Sequence, residues 1–331
     1  MSSRATLAEQ FLNKSGWGNA TSEHLAGDAS NRSYRRFFRN RNETAVLMNA
    51  PTSQGEDIRP FVKMTNHILS LDLSAPRILA QDEQNGFLLI EDLGDDLFAR
   101  LIQDKPEMEQ TLYSVAVDVL VQLQQHPSPS GLLNYSPSIM ADFITPIFEW
   151  YYPSDPDAQT AIKTELEFVL LKSCTLDPVM SLRDFHAENL LWLPNRNGTK
   201  RAGLLDYQDA VLAHPSYDLV SLLKDARRDV PAHIQTDMIA RFVNSTNIDP
   251  ETFYAAYCAN GAQRNLRILG IFSRLCIVSG KPDYIDLIPR VWGNLKQDLD
   301  HPEMAKLNTL VFDALPEPTP DILQRLKSKC K

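Results

Sequence analysis

The chain has 331 residues, 43% of them hydrophobic and 23% charged, with a formal net charge of −9. That length exceeds the size at which a single core usually stops growing, so two lobes or two domains are expected. The acidic balance excludes broad nucleic-acid or anionic-membrane binding, which needs a basic footprint, and no apolar run reaches the ~18 residues of a membrane-spanning helix.

The first residues, MSSRATLAEQFLNKSG, lack the apolar stretch of a secretory signal, which makes the cytoplasm the expected location. Cys174, Cys258, Cys276 and Cys330 are widely spaced and contain no CxxC pair. They are expected to be reduced thiols, neither zinc ligands nor a disulfide scaffold.

Taken in chain order, residues 21 to 50 read as SEHLA, a small-residue loop GDAS, NRSYRRFFR, a polar RNRNE turn and TAVLM. Alternation punctuated by turn residues predicts three strands. After Pro51 the spacing of Ile58, Phe61, Val62, Ile68 and Leu69 predicts a helix, and GFLLIEDLG at 86 to 94 predicts another strand. Beyond Asp95 the pattern turns helical, with Leu112, Val115, Ala116, Val119 and Leu123 forming one stripe in steps of three and four. HPSPSG closes that helix; residues 159 to 173 predict a further one, followed by the apolar run PVMSL.

LLWL (190 to 193) and AGLLDY (202 to 207) flank a polar connection containing Asn197-Gly198, the signature of a hairpin. Everything after Tyr217 is predicted helical, ending in a short helix beyond LPEPTPD.

The chemistry concentrates in LRDFHAENLLWL and GLLDYQDA. Asp184 is followed by Asn189 at the mouth of the predicted hairpin, whose second strand ends in Asp206. Phosphoryl transfer to a hydroxyl needs such a set: a carboxylate to orient the attacking group and take its proton, and hard oxygen ligands to hold Mg²⁺ on the phosphates. Each residue alone is a common turn former. Their order, with a hairpin between them, points to a kinase.

These segments resemble the aminoglycoside phosphotransferase and choline kinase superfamily. Asp184, His186 and Asn189 fit its HGDxHxxN loop, Asp206 its metal aspartate, HPSYDLVSLL its P-x-x-D-L-A helix start with Asp218, and GFLLIEDLG its hinge strand. The resemblance implies an α+β, two-lobed, protein-kinase-like fold. A small N-terminal antiparallel-sheet lobe (residues 1–92) would bind nucleotide and end at the hinge. A larger, mainly helical C-terminal lobe (93–331) would hold the catalytic loop, metal site and acceptor site. It further implies ATP and Mg²⁺, with Asp184 as base, Asn189 and Asp206 on the metal, and His186 and Asp218 bracing the site. Gly27 and Ser30 of GDAS, Arg32 and Arg35, and the hinge residues Glu91 and Leu93 are the expected nucleotide contacts.

Three positions depart from the family pattern. Leu182 replaces the first loop histidine, Arg183 replaces the usual glycine, and Met48 stands where the third strand normally supplies a lysine to the phosphates. Arg32, Arg35 and Arg36 are the nearest substitute cations, and because strand residues alternate, Arg35 and Arg36 cannot both face the nucleotide.

Read in order, GDASNRSYRRFF, VLMNAP, GEDIRPFV, GFLLIEDLGD, DFHAENLLWLP, GLLDYQDA, YDLVSLLKDARRDV and QRNLRILGIFSRL resemble one branch, the anomeric N-acetylmuramate and N-acetylglucosamine kinases. This implies transfer of the ATP γ-phosphate to a sugar C1 hydroxyl. Asp209 is a candidate for a sugar hydroxyl, Arg264 or Arg267 for a sugar carboxylate, and Trp150, Tyr151, Tyr152 or Trp292 for an apolar platform. The expected partners are a nucleotide and a small-molecule acceptor, an amino sugar, for a monomer or weak dimer with no nucleic acid or membrane. An aminoglycoside 3'-type phosphotransferase, a choline- or homoserine-like small-alcohol kinase, and a nucleotide-binding pseudokinase with a regulatory role are the alternatives.

Overall fold

The computed structural model describes residues 3–25, 31–40 and 43–331. In chain order its elements are α1 (Arg4–Lys14), β1 (Thr21–Leu25), β2 (Ser33–Arg39), β3 (Glu43–Asn49), α2 (Arg59–Ser70), β4 (Ile78–Asp82), β5 (Phe87–Glu91), α3 (Phe98–Asp104), α4 (Glu109–Gln124), α5 (Pro137–Asp142) and α6 (Pro156–Ser173). They continue with β6 (Val179–Ser181), β7 (Leu190–Trp192), β8 (Ala202–Leu204), β9 (Val211–Ala213), α7 (Tyr217–Leu223), α8 (Ala232–Thr246), α9 (Pro250–Ser279), α10 (Ile288–Leu299), α11 (Ala305–Ala314) and α12 (Pro320–Lys327). Packing divides the chain into two compact units, residues 1–119 with 188–210, and residues 120–187 with 211–331. The division passes through α4 and between Ala187 and Glu188. It is a division by compactness, distinct from the functional one at residue 92 expected from the hinge.

The first unit is built on an antiparallel sheet in the order β1-β2-β3-β5-β4. Tyr34 pairs with Met48 and Arg36 with Val46, and Met48 in turn pairs with Leu88. Because side chains alternate across a strand, Arg35, Phe37, Ala45, Leu47, Phe87 and Leu89 share the opposite face. That face is covered by α1, which buries Phe11 and Leu12, together with Trp17. Strand β4 was not expected from the sequence. It is a short edge strand, half-exposed along its length, so its residues ILAQD carry no apolar alternation.

The β7–β8 hairpin belongs to this first unit, with Leu190 opposite Leu204 and Trp192 opposite Ala202. Backbone bonds fasten it on both sides: Leu204 N–H donates to Ser74 O (2.8 Å) and Trp192 N–H to Asp96 O (2.7 Å). Arg196, in its connection, reaches Ser74 Oγ at 2.7 Å and Glu91 at 2.8 Å.

The second unit is helical, apart from β6 paired with β9. Its apolar core draws on α5, α6, α9, α10 and α11, and α9 runs 30 residues through it. At Gly270 a Cβ would stand 2.3 Å from the carbonyl carbon of Pro146 and 2.4 Å from the Ile147 nitrogen. Only glycine lets the helix approach that backbone so closely. Among the described residues no helix is long and apolar enough to cross a membrane, and the four cysteines are free thiols.

Candidate active site

In the second unit, the loop after β6 is braced from the start of α7. The buried Asp218 carboxylate accepts the Ser181 hydroxyl (2.7 Å) and the backbone N–H groups of Leu182 (2.7 Å) and Arg183 (3.0 Å). Burial pushes the Asp218 carboxyl up to about 6, with those donors pulling the other way. Arg183 lies in the left-handed region at φ +69°, where glycine sits without strain and an L side chain does not.

Next in the chain, Asp184 has a side chain 45% exposed. Desolvation opposes its ionisation, but the charges of Arg264, Arg183 and Arg267 together hold its carboxyl below the usual range. His186 is buried. Desolvation, followed by the Arg227 charge, brings its imidazole down to about 3, so it is neutral at physiological pH. Its Nε2 lies 3.4 Å from Arg227 Nη1. At neutral pH the carboxylate is therefore the charged group of this pair.

Arginines and aromatic rings gather around this loop. Arg264 donates to the Arg183 carbonyl at 3.0 Å, stands 3.8 Å from Asp184 Oδ1, and lies over the Tyr217 ring. Arg267 lies 4.9 Å over Phe143, and Arg183 lies over Tyr135. Tyr135 meets Phe143 and Tyr217 edge-on, at 5.2 and 5.8 Å. The close approach at Gly270, one turn beyond Arg267 and next to the segment that follows Phe143, sets Arg267 over that ring. Of the four aromatic residues singled out from sequence, Tyr151 and Trp292 are not brought here: they are 1% and 3% exposed and pack on each other in the helical core, so neither presents a face to a ligand. Tyr152 has its ring beneath Arg325.

In the first unit, the hairpin brings Asn189 and Asp206 together. Leu205 N–H donates to Asn189 O at 3.0 Å, one step beyond the Leu190–Leu204 pair. Asp206 is left-handed at φ +56°, and its Oδ1 accepts Gln208 Nε2 at 2.7 Å. The following Tyr207 is wholly buried, with its hydroxyl 2.7 Å from Thr65 Oγ1 and its ring stacked on Phe61, so α2 fixes the end of the hairpin. Among the described residues no trio of His, Cys, Asp or Glu gathers as a metal site. Asn189 and Asp206 offer two hard oxygen donors, the kind that binds Mg²⁺ beside phosphate and water.

The three candidate cations separate by face. Arg35 is exposed on the α1 face and donates to Ser22 Oγ at 2.6 Å. Arg36, on the other face, is clamped by Asp95 (2.8 Å), Asp92 (2.8 Å) and Glu23 (3.3 Å). Arg32 pairs with Glu56 at 2.8 Å, and the same carboxylate accepts Asn31 N–H at 3.1 Å. Desolvation opposes the Arg32 charge, while Glu56 and, at longer range, Asp209 favour it. Asp209 thus acts at the Arg32 end of the first unit, whereas Arg264 and Arg267 are in the second.

Met48 is fully buried, a core thioether where a lysine was looked for. Glu91 has its carboxylate engaged by Arg77 (3.1 Å) and Arg196 (2.8 Å), and Leu93 lies where a Cβ on Gly203 would meet it at 3.0 Å. Gly27 and Ser30 lie outside the described residues. Sequence reasoning missed Glu56, Tyr135, Phe143, Tyr207 and Tyr217. Only Glu56 had a local signal, an acidic residue just ahead of a predicted helix.

A model of the phosphotransferase enzyme family matches residues 21–254. The N-acetylmuramate/N-acetylglucosamine kinase of Caulobacter vibrioides is 35% identical, over 92% of this chain and 95% of its own. Among solved structures, a choline/ethanolamine kinase family protein from Mesorhizobium loti superposes with a TM-score of 0.64 at 13% identity, covering 93% of this chain and 99% of that one. The ADP-bound aminoglycoside phosphotransferase APH(2'')-Ib gives 0.61 at 14%, covering 92% and 98%. At such identities the likeness shows the fold, and it is the α+β kinase-like one expected from the sequence.

Proposed function

This chain belongs to the phosphotransferase enzyme family and is a kinase acting on a hydroxyl; from that premise we propose that it uses ATP and Mg²⁺ to phosphorylate the anomeric hydroxyl of an N-acetylated amino sugar. The acceptor class is supported by the Caulobacter vibrioides relative, named for two such sugars. The observation that carries it is the arginine-rich neighbourhood of Asp184. Arg264, Arg183 and Arg267 act on that carboxylate, so a polycationic aminoglycoside or a quaternary ammonium would meet repulsion where a neutral or anionic sugar would not.

In this reading Asp184 orients the acceptor hydroxyl and takes its proton, and the guanidiniums that keep it ionised also keep it ready at neutral pH. Mg²⁺ held by Asn189 and Asp206 would neutralise phosphate charge. Arg32, steadied by Glu56, replaces the missing strand lysine as the phosphate cation, and Asp209 belongs to this nucleotide end. The nucleotide is taken by residues 1–92, with the base of the nucleotide at the Glu91–Leu93 hinge and Gly27 and Ser30 among its contacts. Residues 93–331 carry the catalytic loop and acceptor site. His186 and Asp218 brace the loop. The cytoplasm, where ATP is plentiful and thiols stay reduced, is the fitting compartment.

The test is incubation of the protein with ATP, Mg²⁺ and a panel of amino sugars, aminoglycosides, choline and homoserine, with NMR of the product. Phosphate on C1 of N-acetylglucosamine or N-acetylmuramate is expected. A phosphorylated aminoglycoside or choline would overturn the acceptor assignment, and nucleotide binding without any product would favour a pseudokinase.

A further inference from the structure

The guanidinium groups around Asp184 are not equivalent. Arg264 is committed to the chain, donating to the Arg183 carbonyl at 3.0 Å and standing 3.8 Å from Asp184. Arg267 follows one turn later in α9, and among the described residues no carboxylate lies within ion-pair distance of it. Its guanidinium lies 4.9 Å over Phe143, near the Tyr135 hydroxyl and within electrostatic reach of Asp184. A guanidinium stacked on a ring keeps its N–H edge available, and that edge matches a carboxylate in bidentate fashion.

The surroundings keep this cation charged. Arg267 is half-buried against Tyr135, Phe143 and Tyr217; desolvation opposes its charge, but the tyrosine hydroxyls and Asp184 favour it more. A guanidinium held charged in a partly desolvated aromatic setting is a strong partner for a bound anion. N-acetylmuramate differs from N-acetylglucosamine by a lactyl ether on C3, which adds one carboxylate to an otherwise common ring. C3 is separated from the reacting C1 by one ring carbon, so its ether carries the carboxylate out beside the reacting hydroxyl, while Arg267 stands one helical turn, about 5 Å, from the arginine beside Asp184.

We propose that Arg267 is the specificity-determining residue that receives the acceptor's carboxylate, favouring an acidic hexosamine over its neutral counterpart. This rests on the reading of Asp184 as the base of an amino-sugar kinase. The experiment compares wild type, Arg267→Met and Arg267→Lys, reading kcat/KM for N-acetylmuramate and N-acetylglucosamine with ATP and Mg²⁺. Methionine keeps the stem on Phe143 without the charge; lysine keeps the charge without the fork. The ratio of the two kcat/KM values should fall by about tenfold to a hundredfold in Arg267→Met, chiefly through KM, and by less in Arg267→Lys.

Because a general loss of folding or catalysis cancels in that ratio, an unchanged ratio in both variants overturns the proposal. Calorimetric binding of each sugar to the same proteins separates this inference from the reading beneath it. If wild type turns over neither sugar, the functional reading fails, and Arg267 is judged by binding alone. Tighter binding of N-acetylmuramate to wild type than to Arg267→Met then supports the carboxylate site, and equal binding sinks it.

Discussion

The Asp218 carboxylate accepts the Arg183 N–H at 3.0 Å, and so holds a residue with a long side chain at φ +69°, a conformation suited to glycine. A buried acceptor thereby fixes the backbone that presents Asp184. Asp218→Asn removes one accepting oxygen and should lower stability by about 1–3 kcal/mol, measured by thermal or denaturant unfolding. In an Arg183→Gly background the same substitution should cost less, because glycine needs no help to stay left-handed. Equal costs in both backgrounds would show that Asp218 acts on the loop by another route.

Asp184→Asn should fold and bind nucleotide but lose at least about a hundredfold in kcat, the low end for a positioned acid-base group. Retention of most activity would remove Asp184 as the base. Its folded pKa is depressed, so the base is ionised through neutral pH and the rate should fall only as pH drops through that lowered value. Arg264→Met removes a charge that holds the pKa down. The acid limb of the pH–rate profile should therefore move to higher pH; a limb that stays in place or moves lower contradicts the assignment.

For the metal site, Asn189→Ala and Asp206→Ala should both raise the Mg²⁺ concentration needed for half-maximal rate. Asp206→Ala should be the worse of the two, since a full negative charge serves a hard cation better than an amide oxygen. A magnesium titration of each variant decides it. Wild-type dependence in both would mean that the hairpin holds no metal.

The arginines of the first unit should give three different results. Arg32→Ala should weaken ATP binding at least about tenfold, the loss of one charge-assisted contact, in a direct binding assay. Arg35→Ala should leave it near wild type, because that side chain is exposed on the α1 face. Arg36→Ala should chiefly cost stability, about 1–3 kcal/mol, by stranding the mostly buried Asp92. Normal ATP binding by Arg32→Ala would send the search for the phosphate cation elsewhere.

How much of this was legible in the sequence depends on whether a signal was local. The strands around Phe37 and Val46, and the β7–β8 hairpin, follow from alternation and turn residues within a few positions of one another. β4 was missed because an edge strand needs no apolar stripe. Asp184, Asn189 and Asp206 were singled out through order and spacing around one hairpin. The ring cluster of Tyr135, Phe143 and Tyr217 was not, because its members are far apart in the chain and meet through packing, which at Gly270 turns on the absence of a single methyl group. The alternation argument separated Arg35 from Arg36, but nothing local could say that Arg36 would be consumed by Asp92 and Asp95.

Glu91, at the end of an inner sheet strand, is bonded to Arg196 in the loop of the β7–β8 hairpin, and the backbone of Ser74 and Asp96 is bonded to the hairpin's own strands. A two-stranded ribbon alone is barely stable in water. Joined in this way, the amides of Leu190–Trp192 and Phe87–Glu91 should behave as one cooperative unit in hydrogen exchange, opening together at similar free energy. Glu91→Ala should let the hairpin amides exchange faster than those of the sheet, and unaltered joint protection would show that the backbone bonds suffice. In either case, Asn189 and Asp206 would inherit the slow opening of a sheet, although they sit at the end of a ribbon only three residues long on each side.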